Sequence, residues 1–139
     1  WKSFKFYSAY TFSDFKNKKF IVDYNDYSGK YTPGIPKHFL YSEIFTENEN
    51  KMNIKIIFRF SDKIYVNDSN SNLSDSFQIL DLRLFKKFNI NENKINLFFG
   101  INNLSNEKYF SNIRINAWGG RFFETAPLRN FYIGTEIKI

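Results

Sequence analysis

Met52-Asn53-Ile54-Lys55-Ile56-Ile57-Phe58-Arg59-Phe60 is the stretch that decides the fold. Every second residue (Met52, Ile54, Ile56, Phe58, Phe60) is apolar, and between them stand Asn53, Lys55, Ile57 and Arg59. A β-strand sends alternate side chains to opposite faces, so this segment has one greasy face and one mostly polar face. Wound as a helix, it would scatter Lys55 and Arg59 among the apolar residues. The segment reads as a strand.

Moving outward, the rhythm repeats. In Phe77 to Phe88, Leu80, Leu82 and Leu84 alternate with Ile79, Asp81, Arg83 and Phe85. In Ile95 to Leu104, Ile95, Leu97, Phe99 and Ile101 oppose Asn96, Phe98, Gly100 and Asn102. The final run sets Phe131, Ile133, Thr135, Ile137 and Ile139 against Tyr132, Gly134, Glu136 and Lys138; near the start, Phe4, Phe6, Tyr10 and Phe12 alternate with Lys5, Tyr7, Ala9 and Thr11. His38 to Phe45 is a shorter strand candidate. The links between strands run long (17–36), short (46–51), long (67–76), short (89–94) and long (106–128). That alternation predicts a membrane barrel with extended outer loops and tight periplasmic turns, the last strand ending on the periplasmic side. About ten residues per strand, at roughly 3.4 Å each and tilted near 45°, cover about 24 Å, close to the apolar height of such a barrel.

What distinguishes lipid from water as the neighbour is the second face. Lys55, Arg59, Asp81, Arg83, Glu136 and Lys138 fall on it beside Ile57, Ile79 and Phe98, a mixture that suits a wall facing a watery lumen or a polar plug. These six ionic residues are the lumen-facing candidates; they either hydrate the wall and bridge to a plug or steer an anionic ligand. No helix or second sheet is predicted to cover the greasy face. Each large apolar side chain left in water forgoes roughly 1.5–3 kcal/mol, and over roughly fifteen positions the loss exceeds the typical stability of about 5–15 kcal/mol. Composition agrees: aromatics make up 21%, with 18 Phe and 9 Tyr, yet mean hydropathy is −0.47. The abundance of Lys, Asn, Ile and Phe is put down to an AT-rich genome.

Other classes find little support. The net charge of +6 is spread without a Lys/Arg block, so no nucleic-acid partner is expected. There is no Cys, which removes disulfides and thiolate metal sites, and no apolar run approaches the roughly 18 residues of a spanning helix. With one His (His38, read as a strand-start residue), no nucleophile elbow and no phosphate-cradling Gly loop, neither an enzyme nor a bound cofactor is expected. Asp23, Asp26 and Asp68 match no compact Ca²⁺ loop. Tyr7, Tyr10, Tyr41, Tyr65 and Tyr109 are assigned to interfacial aromatic girdles. In the last long link, Arg114, Trp118, Arg121 and Phe122 are ligand-contact candidates, with loop-to-loop packing as the equal alternative.

The expected fold is therefore all-β: an antiparallel up-and-down meander of about six long strands spanning residues 1–139. Bacterial barrels start at about 8 strands, so the meander is incomplete by itself. With Trp1 in place of an initiator Met, the natural N-terminus and any signal peptide are expected to lie upstream.

Three segments carry a family resemblance. The terminal octamer Tyr132-Ile133-Gly134-Thr135-Glu136-Ile137-Lys138-Ile139 resembles the C-terminal signal read by the outer-membrane barrel-insertion machinery, with Ile139 where an aromatic is usual; Tyr132, Gly134, Ile137 and Ile139 are its candidate residues. Thr32-Pro33-Gly34-Ile35-Pro36-Lys37-His38 resembles the segment before a late barrel strand of TonB-dependent receptors. Phe99 to Tyr109 is similar to their penultimate strand, with Ser105 in place of Phe. The run from Ser111 to Glu124, continued by Ala126-Pro127 and Arg129 to Tyr132, is similar to their last extracellular loop and closing strand. The resemblance implies the C-terminal part of a barrel of about 22 strands in the bacterial outer membrane, in contact with lipid and importing a small-molecule or metal-chelate ligand such as a ferric siderophore, haem or cobalamin. Energy would come from the TonB complex through a plug domain, and neither plug nor TonB box lies within these residues. A passive porin-like or structural barrel is the alternative; an outer-membrane enzyme or a soluble all-β binding module ranks below it.

Overall fold

The computed structural model describes residues 3–48, 52–91 and 93–138. In chain order the strands are β1 (Phe4–Phe12), β2 (Ile21–Val22), β3 (Asn25–Asp26), β4 (His38–Thr46), β5 (Asn53–Ser61), β6 (Ile64–Tyr65), β7 (Leu73–Ser74), β8 (Phe77–Ile90), β9 (Asn93–Asn102), β10 (Phe110–Ile113), β11 (Phe123–Thr125) and β12 (Asn130–Lys138), with a 3₁₀ turn at Trp118–Gly120. The six long strands form one antiparallel sheet in the order β1-β4-β5-β8-β9-β12. Each pairs with its neighbour along the chain, giving the expected up-and-down meander.

Register converts the period of two into a two-faced wall. One row crosses all six strands as Phe6, Ile44, Ile56, Leu82, Ile101 and Phe131. The row beside it, on the opposite face, reads Lys5, Phe45, Lys55, Arg83, Gly100 and Tyr132. A slip of one residue in any pair would mix the faces, so the apolar rows hold the register.

Burial is lopsided in an informative way. Ile79 (1% exposed), Ile57, Asp81, Asn53 and Ser61 are buried and lie on the ionic face, whereas Phe6, Phe131 and Ile133 (74% exposed) stand open on the apolar face. A flat, uncovered sheet would expose both faces alike; curvature toward the ionic side crowds the inner side chains and splays the outer ones. Among the described residues no helix or second layer lies over the Ile54–Phe60 and Leu80–Leu84 rows, since the remaining strands are three two-stranded ribbons, β2-β3, β6-β7 and β10-β11. Among the described residues no helix is long and apolar enough to cross a membrane.

Two glycines on the ionic face are locked under rings. Tyr132 lies across Gly100, its cross-strand partner, and Phe98 lies across Gly134; a Cβ added at either glycine would sit 2.1 Å or 2.4 Å from a ring carbon. This reciprocal packing explains aromatic residues on the polar side of β9 and β12.

The structure departs from expectation at element ends. The long links are partly ordered into the three ribbons. β8 runs on to Ile90, past the expected start of the link at Asn89, because Ile90 still pairs with Asn93. β4 takes in Thr46, and β9 stops at Asn102 because Asn103 turns into the left-handed region at φ 54°. Trp1 and the expected signal residue Ile139 lie outside the described residues, as do Lys51 and Glu92 of the short turns.

Candidate functional site

All six ionic candidates share the curved inner face. Lys55 and Arg59 project from β5, Asp81 and Arg83 from β8, Glu136 and Lys138 from β12, with Lys55 opposite Arg83 and Ile57 opposite Asp81. Lys55 pairs with Glu43 at 3.3 Å, Arg59 with Asp81 at 2.9 Å and Lys138 with Glu136 at 3.5 Å. Tyr41 donates its hydroxyl to Glu43 at 2.8 Å. Asp81 has the best-sheltered carboxylate of these pairs: one oxygen accepts from the Arg59 guanidinium and the other accepts the backbone N–H of Asn103 at 2.8 Å.

That second bond ties the wall to the loop above it. Asn103 is buried, and its side chain accepts from Glu107 N–H at 2.8 Å and donates to the Glu107 carbonyl at 2.8 Å. The chain thus leaves β9 through a left-handed Asn whose amide closes the following turn, a conformation Asn tolerates better than most residues. Beneath this knot lies a cavity of about 350 Å³, lined among others by Tyr41, Arg59, Asp81, Arg83, Asn102 and Tyr109. Arg83 makes no hydrogen bond or ion pair among the described residues, and Arg59 Nε is buried with no acceptor. The cavity is open, and its charged lining consists of Arg59, Asp81 and Arg83. Among the described residues no three His, Asp or Glu converge as a metal site.

The outer loops interlock above the wall. The middle loop (62–76) holds the first (13–37) through Gly34 N–H to the Tyr65 carbonyl (2.8 Å), through Asn70, whose side chain accepts from Tyr31 N–H and donates to the Tyr31 carbonyl, and through stacking of Tyr31 on Tyr65. It holds the third (103–129) through Asn116, which donates its N–H to the Val66 carbonyl, accepts from Asp68 N–H and donates from its side-chain nitrogen to the Asp68 carboxylate at 2.7 Å. Val66 is fully buried at this junction. Abundant Asn thus has a physical role beyond genome composition: among the described residues, five of the seven non-Gly positions at positive φ are Asn70, Asn91, Asn103, Asn106 and Asn116.

The four ligand-contact candidates divide. Trp118 (96% exposed) and Arg121 project freely from the third loop. Arg114 is engaged with the Glu124 carboxylate across the β10-β11 ribbon, and Phe122 is half-buried with its ring edge-on to Phe123. The Asn112 side-chain amide and then Arg114 hold the Glu124 carboxyl below its ordinary value. In the first loop, the Ser28 hydroxyl and then its N–H do the same for Asp26. Loop-to-loop packing runs instead through Ile115, seated against Gly34, and Asn116, neither of them singled out by the sequence. A lone Asn in a polar loop gives no signal of its partner 48 residues away.

The girdle assignment needs correction for four of the five tyrosines. Only Tyr10 lies on the apolar face, bonded through its hydroxyl to His38 Nδ1 at 2.7 Å. Strand parity puts Tyr7 and Tyr41 together on the ionic face with ring centroids 6.1 Å apart. Tyr65 stacks on Tyr31 in the loop layer, and Tyr109 packs on Phe77 over the cavity.

A curved, six-stranded antiparallel wall, apolar outside and ionic inside, with short links at one end and an interlocked loop layer at the other, is a segment of a transmembrane β-barrel. A family model described as TonB dependent receptor-like, beta-barrel, matches residues 1–104. The chain belongs to this family, whose members are outer-membrane proteins. Among solved structures it is similar to the siderophore receptor PiuA from Acinetobacter baumannii, with TM-score 0.75 and 22% identity over 98% of this chain and 19% of that one. It is also similar to BauA, the ferric preacinetobactin receptor of the same organism, with TM-score 0.65 and 14% identity over 80% of this chain and 16% of that one. At these identities the likeness is one of fold, and it extends past residue 104 through the last loop and β12. The chain spans less than a fifth of the length of either receptor.

Proposed function

We propose that this chain is the C-terminal barrel segment of an active importer in the bacterial outer membrane, taking up a scarce ligand of the ferric siderophore, haem or cobalamin class. TonB supplies the energy through a plug domain encoded with the earlier strands. The observation that carries the reading is the two-faced wall of a TonB-dependent receptor barrel, cationic on the inner side where a solute would pass. Two neighbours named for siderophore or ferric-siderophore recognition favour the iron-chelate branch. In this reading Lys55, Arg59, Asp81, Arg83, Glu136 and Lys138 line the lumen, Trp118 and Arg121 meet ligand first, and Tyr132, Gly134, Ile137 and Ile139 form the signal for the insertion machinery.

The test is uptake by the complete gene product carrying this chain, expressed in a strain lacking its own iron-chelate receptors. Accumulation of ⁵⁵Fe-chelates that stops on TonB deletion supports the reading. Accumulation unaffected by TonB deletion, as in passive diffusion through a porin, refutes it.

A further inference from the structure

Lys86 breaks the pattern of the outer face. Register puts it beside Leu84 and opposite Leu97, and among the described residues it is the only formally charged side chain on the apolar face of the six long strands. The carboxylates of those strands, Glu43, Asp81 and Glu136, all fall on the other face. Lys86 is half-buried, and its ammonium lies 4.9 Å from the centre of the Phe88 ring, so it reaches along β8 toward Ile90. A lysine among hydrocarbon chains is costly at mid-membrane and nearly free at the headgroups, which its long stem can reach. Behind the ammonium, toward mid-wall, lies a shallow apolar groove of about 200 Å³ formed by Met52, Leu84, Leu97, Phe99 and Ile133. Its floor is the row Leu84, Phe99 and Ile133, which crosses three neighbouring strands. The groove is smaller than a site that encloses a whole small molecule, and suits a length of one hydrocarbon chain.

We propose that Lys86 and this groove seat one glycerophospholipid of the inner leaflet, its phosphate on the Lys86 ammonium and one acyl chain along the Leu84, Phe99 and Ile133 row. Ammonium and phosphate make a charge-assisted hydrogen bond, while the row gives the chain an apolar bed. The polarity of the seat selects the leaflet. A lipid with its head at the Ile90 end points its chains toward mid-wall, as periplasmic-leaflet lipids do when the short links face the periplasm. An outer-leaflet lipid would run the other way and lay its chains against the ammonium. The inference goes beyond the importer reading and rests only on the outer face meeting lipid with the short links inward.

The experiment uses the complete receptor that carries this chain, purified in detergent, as native protein and as Lys86→Gln, Leu97→Trp and Lys87→Gln. Leu97→Trp fills the groove with Lys86 intact, and Lys87 is the adjacent cation on the opposite face. Crystals grown with phosphatidylglycerol brominated in one chain are read by anomalous diffraction. Retention of that lipid, and of diacylglycerol with the same chains, is measured by native mass spectrometry. The expected result is bromine in the groove of native and Lys87→Gln protein and its loss in Leu97→Trp. Lys86→Gln should hold phosphatidylglycerol about fivefold less well than native protein and diacylglycerol equally well. No bromine peak in the native groove, phosphatidylglycerol retention unchanged in Lys86→Gln, or native protein holding diacylglycerol as well as phosphatidylglycerol would each overturn the proposal. A protein carboxylate or a phosphorylated outer-leaflet glycolipid found in the seat would do the same. None of these readouts depends on whether uptake requires TonB.

Discussion

The wall and the loop layer above it are held together in opposite ways. In the wall, backbone ladders run the length of every long strand, and each side chain's face follows from its parity. In the loop layer the joins between separate loops rest on a handful of side chains, chiefly Asn70 and Asn116, whose amides meet backbone partners 39 and 48 residues away. A structure with distributed bonds tolerates most single changes but reacts strongly to one that violates its environment. A structure with concentrated bonds fails locally wherever one anchor is lost.

Substitutions can break or sharpen that contrast. The largest effect is expected on the apolar face at mid-wall: Ile56→Arg in the complete receptor should cost about 2–4 kcal/mol of folding stability in lipid, measured by urea unfolding in vesicles. A surface position of a water-soluble sheet would change by about 0.5 kcal/mol or less, and a value that small at Ile56 would remove lipid from the account. Next come the locked glycines, where Gly100→Ala or Gly134→Ala forces a ring off its cross-strand seat and should cost about 1–3 kcal/mol. Adding Tyr132→Ala to Gly100→Ala should return part of that loss, which a double-mutant cycle reads directly.

Smaller and more local is Asn116→Ala, which removes the amide joining the middle and third loops at a cost of about 1–2 kcal/mol. Hydrogen exchange should quicken around 66–72 and leave β5 and β8 unchanged; equal loosening of those strands would show that wall and loops form one cooperative unit. The smallest effect is pH-dependent. Because Glu124 titrates below its ordinary 4.5 in the folded ribbon, its contribution is present above that value and fades as pH falls through the lower folded pKa. Carboxyl NMR of the β10-β11 ribbon between about pH 5 and 2 should follow it, and Arg114→Gln should move the midpoint back up only in part, since the Asn112 amide is the first cause of the shift.

The six strands, their order and their two faces were legible in the chain because alternation is a local property: Lys55 lies opposite in facing to Ile56 whatever else the protein does. The same parity separates Tyr7 from Tyr10, so strand facing, and not the number of tyrosines, decides which of them can reach a girdle. The ionic site was half legible. Sequence placed Arg59, Asp81 and Arg83 on one face, but not that Asp81 is the buried hinge between Arg59 and Asn103.

By itself, then, the sequence determined the strand period, the membrane-type alternation of long and short links, and the family, since each is written in neighbouring residues. Only tertiary structure decided which polar groups meet: Asn116 with Asp68, Asn70 with Tyr31, Arg59 with Asp81. Those partners are brought together by strand register and curvature, and no spacing along the chain encodes the distance between two loops.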